Sequence, residues 1–401
     1  MSAAAVYYDP FDPVVMADPY PTYQALRKAA PVYWSDAGRC WVLSRHSDVT
    51  SALHDPSTFS SASGVFPTVG APSMADLFLP MLIMTDPPRH TAMRRIVSRA
   101  FTPRRIATLE AGIQELIEGL LDDASSHETW DAVEALTAPL PAIVIADLLG
   151  VPREDRDSFR RWSTQLIQSQ PQSPRIGGAL EAAAALYDYF ASFLAERRIR
   201  PRDDLMSALV EAEVEGQRLS EDELLGFCFL LLVAGHETTT NLLSNSLVAL
   251  AGEPDARHAM ADDPQLLPRA VEELLRYDSP VQGLSRTLTR STTMHGQDLE
   301  PGDVVLLLFG SANRDEQVFP AADRLDIHRS AEQHLALGHG VHFCLGASLA
   351  RLEARSALQA LLSRHRDWEV DEESAVRLQS GPIRGFATLP FRPIAGTWRV
   401  R

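Results

Sequence analysis

Beyond about residue 88 the chain places apolar residues every three or four positions, the period of a helix with one face turned inward. The clearest runs are RHTAMRRIVSRAF, RIATLEAGIQELIEGLLDDA, GGALEAAAALYDYFASFLAERR and LSEDELLGFCFLLLVAGHETTTNLLSNSLVALA. The last opens on Ser220 with Glu223 three residues later, a capping box, and continues to AGEP. Its length predicts a helix that crosses the whole domain. Upstream, PVYW and CWVLS flank the turn DAG and predict a small sheet. Short strands return in DLEPGDVVLLLF and near GFATLPFRP. Many helices, small β pieces and no βαβ rhythm predict a mainly α fold with small sheets. Neither a repeat nor a Ser/Gly-rich or Pro-rich linker divides residues 1–401, which we read as one domain.

Composition narrows the function. Hydrophobic residues make up 45% and charged residues 22%, so a large core can form. A formal net charge of −16 speaks against nucleic acid as a partner, because phosphate contacts need a basic field. The N-terminus has no basic region followed by an apolar run, and GFCFLLLVAG is far shorter than the roughly 20 residues that span a bilayer. A soluble, cytoplasmic protein without a membrane partner is expected. Three widely spaced cysteines, Cys40, Cys228 and Cys344, fit a reducing compartment rather than a disulfide framework.

Cys344 lies in GHGVHFCLG, just before the helical pattern LGASLARLEARSALQALLSRH. The free N–H groups of that helix end would point at its sulfur and favour the thiolate. Gly338, Gly340 and Gly346 would let the backbone turn tightly against something flat or bulky. Three other readings compete. One is an inert cysteine. A zinc site from His339, His342 and Cys344 lacks a fourth ligand at the usual spacing. A Cys–His hydrolase lacks an oriented acid.

Gly338, Gly340, His342, Cys344 and Gly346 together resemble the haem-binding loop of the cytochromes P-450, the haem-thiolate monooxygenases. The resemblance implies haem b, with Cys344 as its axial iron ligand and His342 on a haem propionate; the thiolate donates electron density to the iron. It departs from the family at Leu337, where an aromatic usually packs beside the sulfur and tunes its potential. AGHETTT (234 to 240) resembles the family's oxygen-activation motif: Ala234 and Gly235 would leave room against the haem, and Glu237 and Thr238 would relay protons. His90, Arg94 and Arg286 match the propionate ligands. EELLR resembles the family's structural helix, in which Glu273 and Arg276 would form a clamp with a second arginine assigned to Arg324.

The likeness runs from DPYPTYQALR to RGFATLPFRP, with motif order and spacing as in soluble bacterial members. It implies a monooxygenase that uses O2 to hydroxylate or epoxidise an apolar or amphipathic organic molecule of the kind met in secondary metabolism. Electrons would come from a separate ferredoxin and ferredoxin reductase, docking on Arg95, Arg99, Arg104, Arg105, Arg351 and Arg355. The alternatives are a peroxide-using haem-thiolate enzyme and a non-catalytic haem sensor or carrier. The substrate pocket is expected from Phe66, Phe78, Leu79, Met81 and Leu82, Leu231 and Ala234, VQGL (281 to 284) and GPIRGF (381 to 386), with His236 and Arg384 facing either substrate or solvent.

Overall fold

The computed structural model describes residues 6–67, 79–156, 158–159, 161–162, 165 and 176–394. The helices that frame the site are α1 His46–His54, α2 Arg89–Ala100, α3 Pro139–Leu149, α4 Glu221–Ala251, α5 Leu267–Tyr277 and α6 Ala347–Arg364. One sheet contains β1 Val32–Ser35, β2 Cys40–Leu43, β3 Phe59–Ser60, β4 Leu284–Leu288 and β5 Val304–Leu307, in the order β1-β2-β5-β4-β3. β2 runs parallel to β5, with Trp41 opposite Val305, and the other pairings are antiparallel. The N-terminal sheet is therefore completed by strands from the far end of the chain.

α4 has 31 residues and the expected capping box, in which Ser220 accepts from the Glu223 N–H while the Glu223 carboxylate accepts from the Ser220 N–H. Most of its circumference is buried, including the polar run Thr239, Thr240, Asn241, Ser244, Asn245 and Ser246. Thr240 and Ser246 donate to carbonyls four residues back, which satisfies hydroxyls inside the core. α3, PLPAIVIADLL, is apolar almost all round and carries little periodicity, so the pattern did not separate it from a buried strand. The expected helix RIATLEAGIQELIEGLLDDA divides at Leu109, whose N–H bonds to the Ile106 carbonyl three residues back and tightens the turn.

A continuous core joins Met93 and Ile96 of α2, Ile145 of α3, Leu243 of α4, Leu274 of α5 and Leu358 of α6. Among the described residues no helix is long and apolar enough to cross a membrane.

Candidate active site

The cysteine loop is a closed turn. The Cys344 N–H donates to the Leu337 carbonyl at 2.9 Å, and Gly338 and Gly340 take left-handed conformations with φ of 68° and 66°. A Cβ on Gly340 would lie 2.5 Å from the Leu53 carbonyl, so the loop is pressed against the end of α1. Gly346 differs from expectation: its φ of −82° suits any residue. Its contribution is the N–H, which hydrogen-bonds to the Cys344 sulfur at the start of α6. Burial pushes the Cys344 thiol pKa up, while the Gly346 N–H, Arg94 and Arg351 oppose that rise. Leu337 is half-buried and packs on the main core.

Beside this loop four bases converge from two elements and the loop itself. His90 and Arg94 come from successive turns of α2, Arg286 from β4, and His342 from the loop. The His90 and His342 rings lie 4.3 Å apart, and His342 Nε2 is 3.2 Å from the Ser61 hydroxyl. Burial and then Arg286, His90 and Arg94 push His342 down to about 3. Burial pushes Arg286 down to about 10, against the pull of Asp86. His90 is buried, and among the described residues neither ring nitrogen has a hydrogen-bond partner. An unpaired buried His90 and a His342 depressed by the cations around it call for an anion. Two carboxylates would fit this set; a metal would not, since among the described residues no cluster of three or more His, Cys, Asp or Glu side chains could hold one.

On α4, Ala234 is exposed in the middle of an otherwise buried helix, and Glu237 and Thr238 are half-buried. Burial pushes the Glu237 carboxyl up to about 7. The Thr238 hydroxyl donates to the Ala234 carbonyl at 2.6 Å, which leaves its oxygen free to accept. Gly235 has another reason to be small: a Cβ there would lie 2.7 Å from Ile145 Cδ1, so its side faces α3 and permits helix packing instead of making room for a ligand. His236 faces neither substrate nor solvent; it is buried and bonds to the Ala138 backbone. Arg384 is likewise internal, paired with Asp278 at 2.8 Å and donating to the Met16 and Ala17 carbonyls.

The buried clamp exists with a different second arginine. Arg276 forks onto Glu273 at 2.7 and 2.8 Å, and Arg329 adds a third bond at 3.1 Å. Arg324 is exposed and contributes only its carbonyl. The basic face is also altered, because most of its arginines are already engaged: Arg105 with Asp203, Arg351 with Glu272, Arg355 with Glu110 and Arg95 with Glu215. Arg99 donates to the Glu213 carbonyl. Arg104 stands exposed and without an ion-pair partner among the described residues. Around the expected pocket, Val281 bridges to Ile383 and brings VQGL against GPIRGF, and Met81, Leu82 and Leu231 are buried. Phe78 lies outside the described residues.

Glu353 escaped the sequence reading. It is buried on α6 without a partner for Oε2, and burial pushes its carboxyl well above the usual range. The signal was available, since Glu353 sits on the face that carries Leu349, Leu352 and Ala357.

A sequence profile of the family described as Cytochrome P450 matches residues 24–393. The chain belongs to the cytochrome P450 family. Its relatives include Putative cytochrome P450 123 of Mycobacterium tuberculosis, 42% identical over 96% of each chain. The Vitamin D(3) 25-hydroxylase of Pseudonocardia autotrophica is 39% identical, again over 96% of each. Among solved structures, cytochrome P450 CYP109Q5 from Chondromyces apiculatus superposes with a TM-score of 0.91 at 38% identity, covering 98% of this chain and 100% of that one. CYP109E1 from Bacillus megaterium in complex with corticosterone gives 0.85 at 35% identity, covering 94% and 98%. The P450 fold is thereby established, and with it a haem monooxygenase whose iron is held by a cysteine thiolate.

Proposed function

We propose that Cys344 would supply the thiolate that holds the haem iron, that His90, Arg94, Arg286 and His342 would hold the haem propionates, and that Glu237 and Thr238 would move protons at the site. The observation that carries this reading is the group of four bases gathered beside a sulfur that accepts a helix N-terminal N–H: the His90 nitrogens lack partners among the described residues, and His342 is depressed by burial and by the other three. When bound, the haem supplies electron transfer and oxygen activation, with electron density from the thiolate. The chain's own groups set the conditions. The Gly346 N–H and the positive charges of Arg94 and Arg351 favour ionised sulfur and offset part of the larger cost of burial, the rest of which binding to the iron would cover. Glu237, with a pKa near working pH, can give up and regain a proton. The Thr238 hydroxyl donates to the Ala234 carbonyl, so its lone pairs remain free to accept a hydrogen bond from a group in the site.

The substrate we propose is an apolar or amphipathic small organic molecule. The buried Met81, Leu82 and Leu231 support that class, as do a relative that is a Vitamin D(3) 25-hydroxylase and a similar structure in complex with corticosterone. Ferredoxin and its reductase remain the proposed electron donors to a cytoplasmic, single-domain enzyme; with most arginines of the expected face engaged, Arg104, exposed and without an ion-pair partner among the described residues, can meet an acidic donor. The reduced, carbon monoxide-treated protein is expected to show the red-shifted Soret band of thiolate ligation, and Cys344→Ala is expected to lose it. An Ala variant spectrally identical to the parent overturns the assignment.

A further inference from the structure

Glu272 precedes the clamp residue Glu273, yet its carboxylate points elsewhere. It accepts two bonds from Arg351, Nε to Oε1 at 2.6 Å and Nη2 to Oε2 at 2.8 Å, and a third from His334, Nε2 to Oε2 at 3.1 Å. His334 is buried, and its Nδ1 accepts the Ala336 N–H at 3.2 Å, which places the ring proton on Nε2, facing Glu272. One carboxylate on α5 thus ties together the residue ten positions before Cys344 and the residue seven positions after it. It spans the base of the cysteine loop.

The bridge also fixes a charge. Arg351 lies on α6, whose N-cap Gly346 N–H bonds to the sulfur, and its guanidinium and the Cys344 sulfur favour each other's charged forms. A free arginine side chain would sample many rotamers and spend its charge on water; a fork on a carboxylate that is itself held by a buried histidine removes that freedom. Arg351, expected from the sequence to serve a docking partner, is committed within the molecule.

We propose that Glu272 is a positioning residue: by bridging His334 and Arg351 it fixes the Arg351 charge beside the cysteine loop and so sets the one-electron potential of the thiolate-bound iron. This rests on the reading in which Cys344 ligates that iron. Reduction of ferric to ferrous iron adds one negative charge at the site, so a fixed cation nearby favours the reduced form.

The test is an anaerobic redox titration of the haem-loaded protein followed by its Soret band, without substrate or partner. Arg351→Gln is expected to lower the ferrous-to-ferric ratio at fixed applied potential by about threefold to tenfold, tenfold being about 59 mV for one electron. The same substitution in an E272Q background is expected to shift it less, because the charge is already released. Arg351→Lys keeps the charge but loses the fork, and is expected to fall between parent and R351Q; should R351Q not fold, a Lys variant at the parental midpoint overturns the proposal. An unchanged midpoint in R351Q with an intact red-shifted carbon monoxide band overturns it too, as do equal shifts in both backgrounds. Absence of that band in the parent protein is a different outcome, and overturns the iron assignment itself.

Discussion

Arg329 reaches Glu273 across 56 residues of sequence, its Nε 3.1 Å from Oε1, on a carboxylate that Arg276 already holds by two bonds. Glu273 and Arg276 are fully buried and Arg329 nearly so. Removing the carboxylate leaves two guanidinium groups without their counter-charge. Glu273→Ala is therefore expected to destabilise by about 3 to 5 kcal/mol, whereas Arg324→Ala, exposed and bonded only through its backbone, should stay within about 0.5 kcal/mol. Chemical denaturation of the two variants decides it.

The cluster of bases predicts how the cofactor is held. Arg286→Met removes a buried cation whose charge-assisted bonds are worth about 1.5 to 3 kcal/mol, so haem affinity should fall by about tenfold to a hundredfold. His90→Ala should weaken it less, since a neutral imidazole gives one hydrogen bond. Haem transfer to an apo-acceptor protein measures both.

Gly235 and Ile145 are a matched pair. A methyl group at 235 meets Ile145 Cδ1 at 2.7 Å, so Gly235→Ala should cost about 1 to 3 kcal/mol through overpacking. Adding Ile145→Val removes the clashing atom and should recover most of the loss. If the glycine instead served ligand clearance, the double variant would regain no stability.

Two adjacent groups on α4, buried His236 and half-buried Glu237, respond oppositely to pH. Burial depresses His236 to about 4, below its unfolded value near 6.5. The unfolded chain then binds more protons between those values, and stability falls as pH drops from about 6.5 to 4. His236→Gln should flatten that limb in unfolding titrations. Glu237 is raised to about 7, so it is protonated at lower pH and ionises as pH rises through 7. Turnover that depends on its proton should decline above that point, and Glu237→Gln should lose the decline together with most of the rate.

Much of the architecture was legible because its signals are local. The capping box of Ser220 and Glu223, the hairpin around DAG and the glycine-hinged cysteine loop each declare themselves within a few residues. What stayed hidden depends on distant contacts. Arg324 and Arg329 flank the same short strip, and only the folded path decides which one returns to α5. Gly235 looked like clearance because its packing partner on α3 lies some ninety positions earlier. The arginines read as a docking face carry no mark of the carboxylates that occupy them: Glu272 and Glu110 are 79 and 245 residues away from theirs.

The parallel pairing of β2 with β5 has a consequence for biosynthesis. Leu43 meets Leu307, so the first hairpin waits for the ribosome to deliver more than 260 further residues before its open edge is covered. At about 5 to 20 residues per second that delay is on the order of 10 to 50 s. Through that interval the nascent chain exposes an unpaired strand edge rich in Trp and Val, the kind of surface that chaperones shield and that self-associates when they do not.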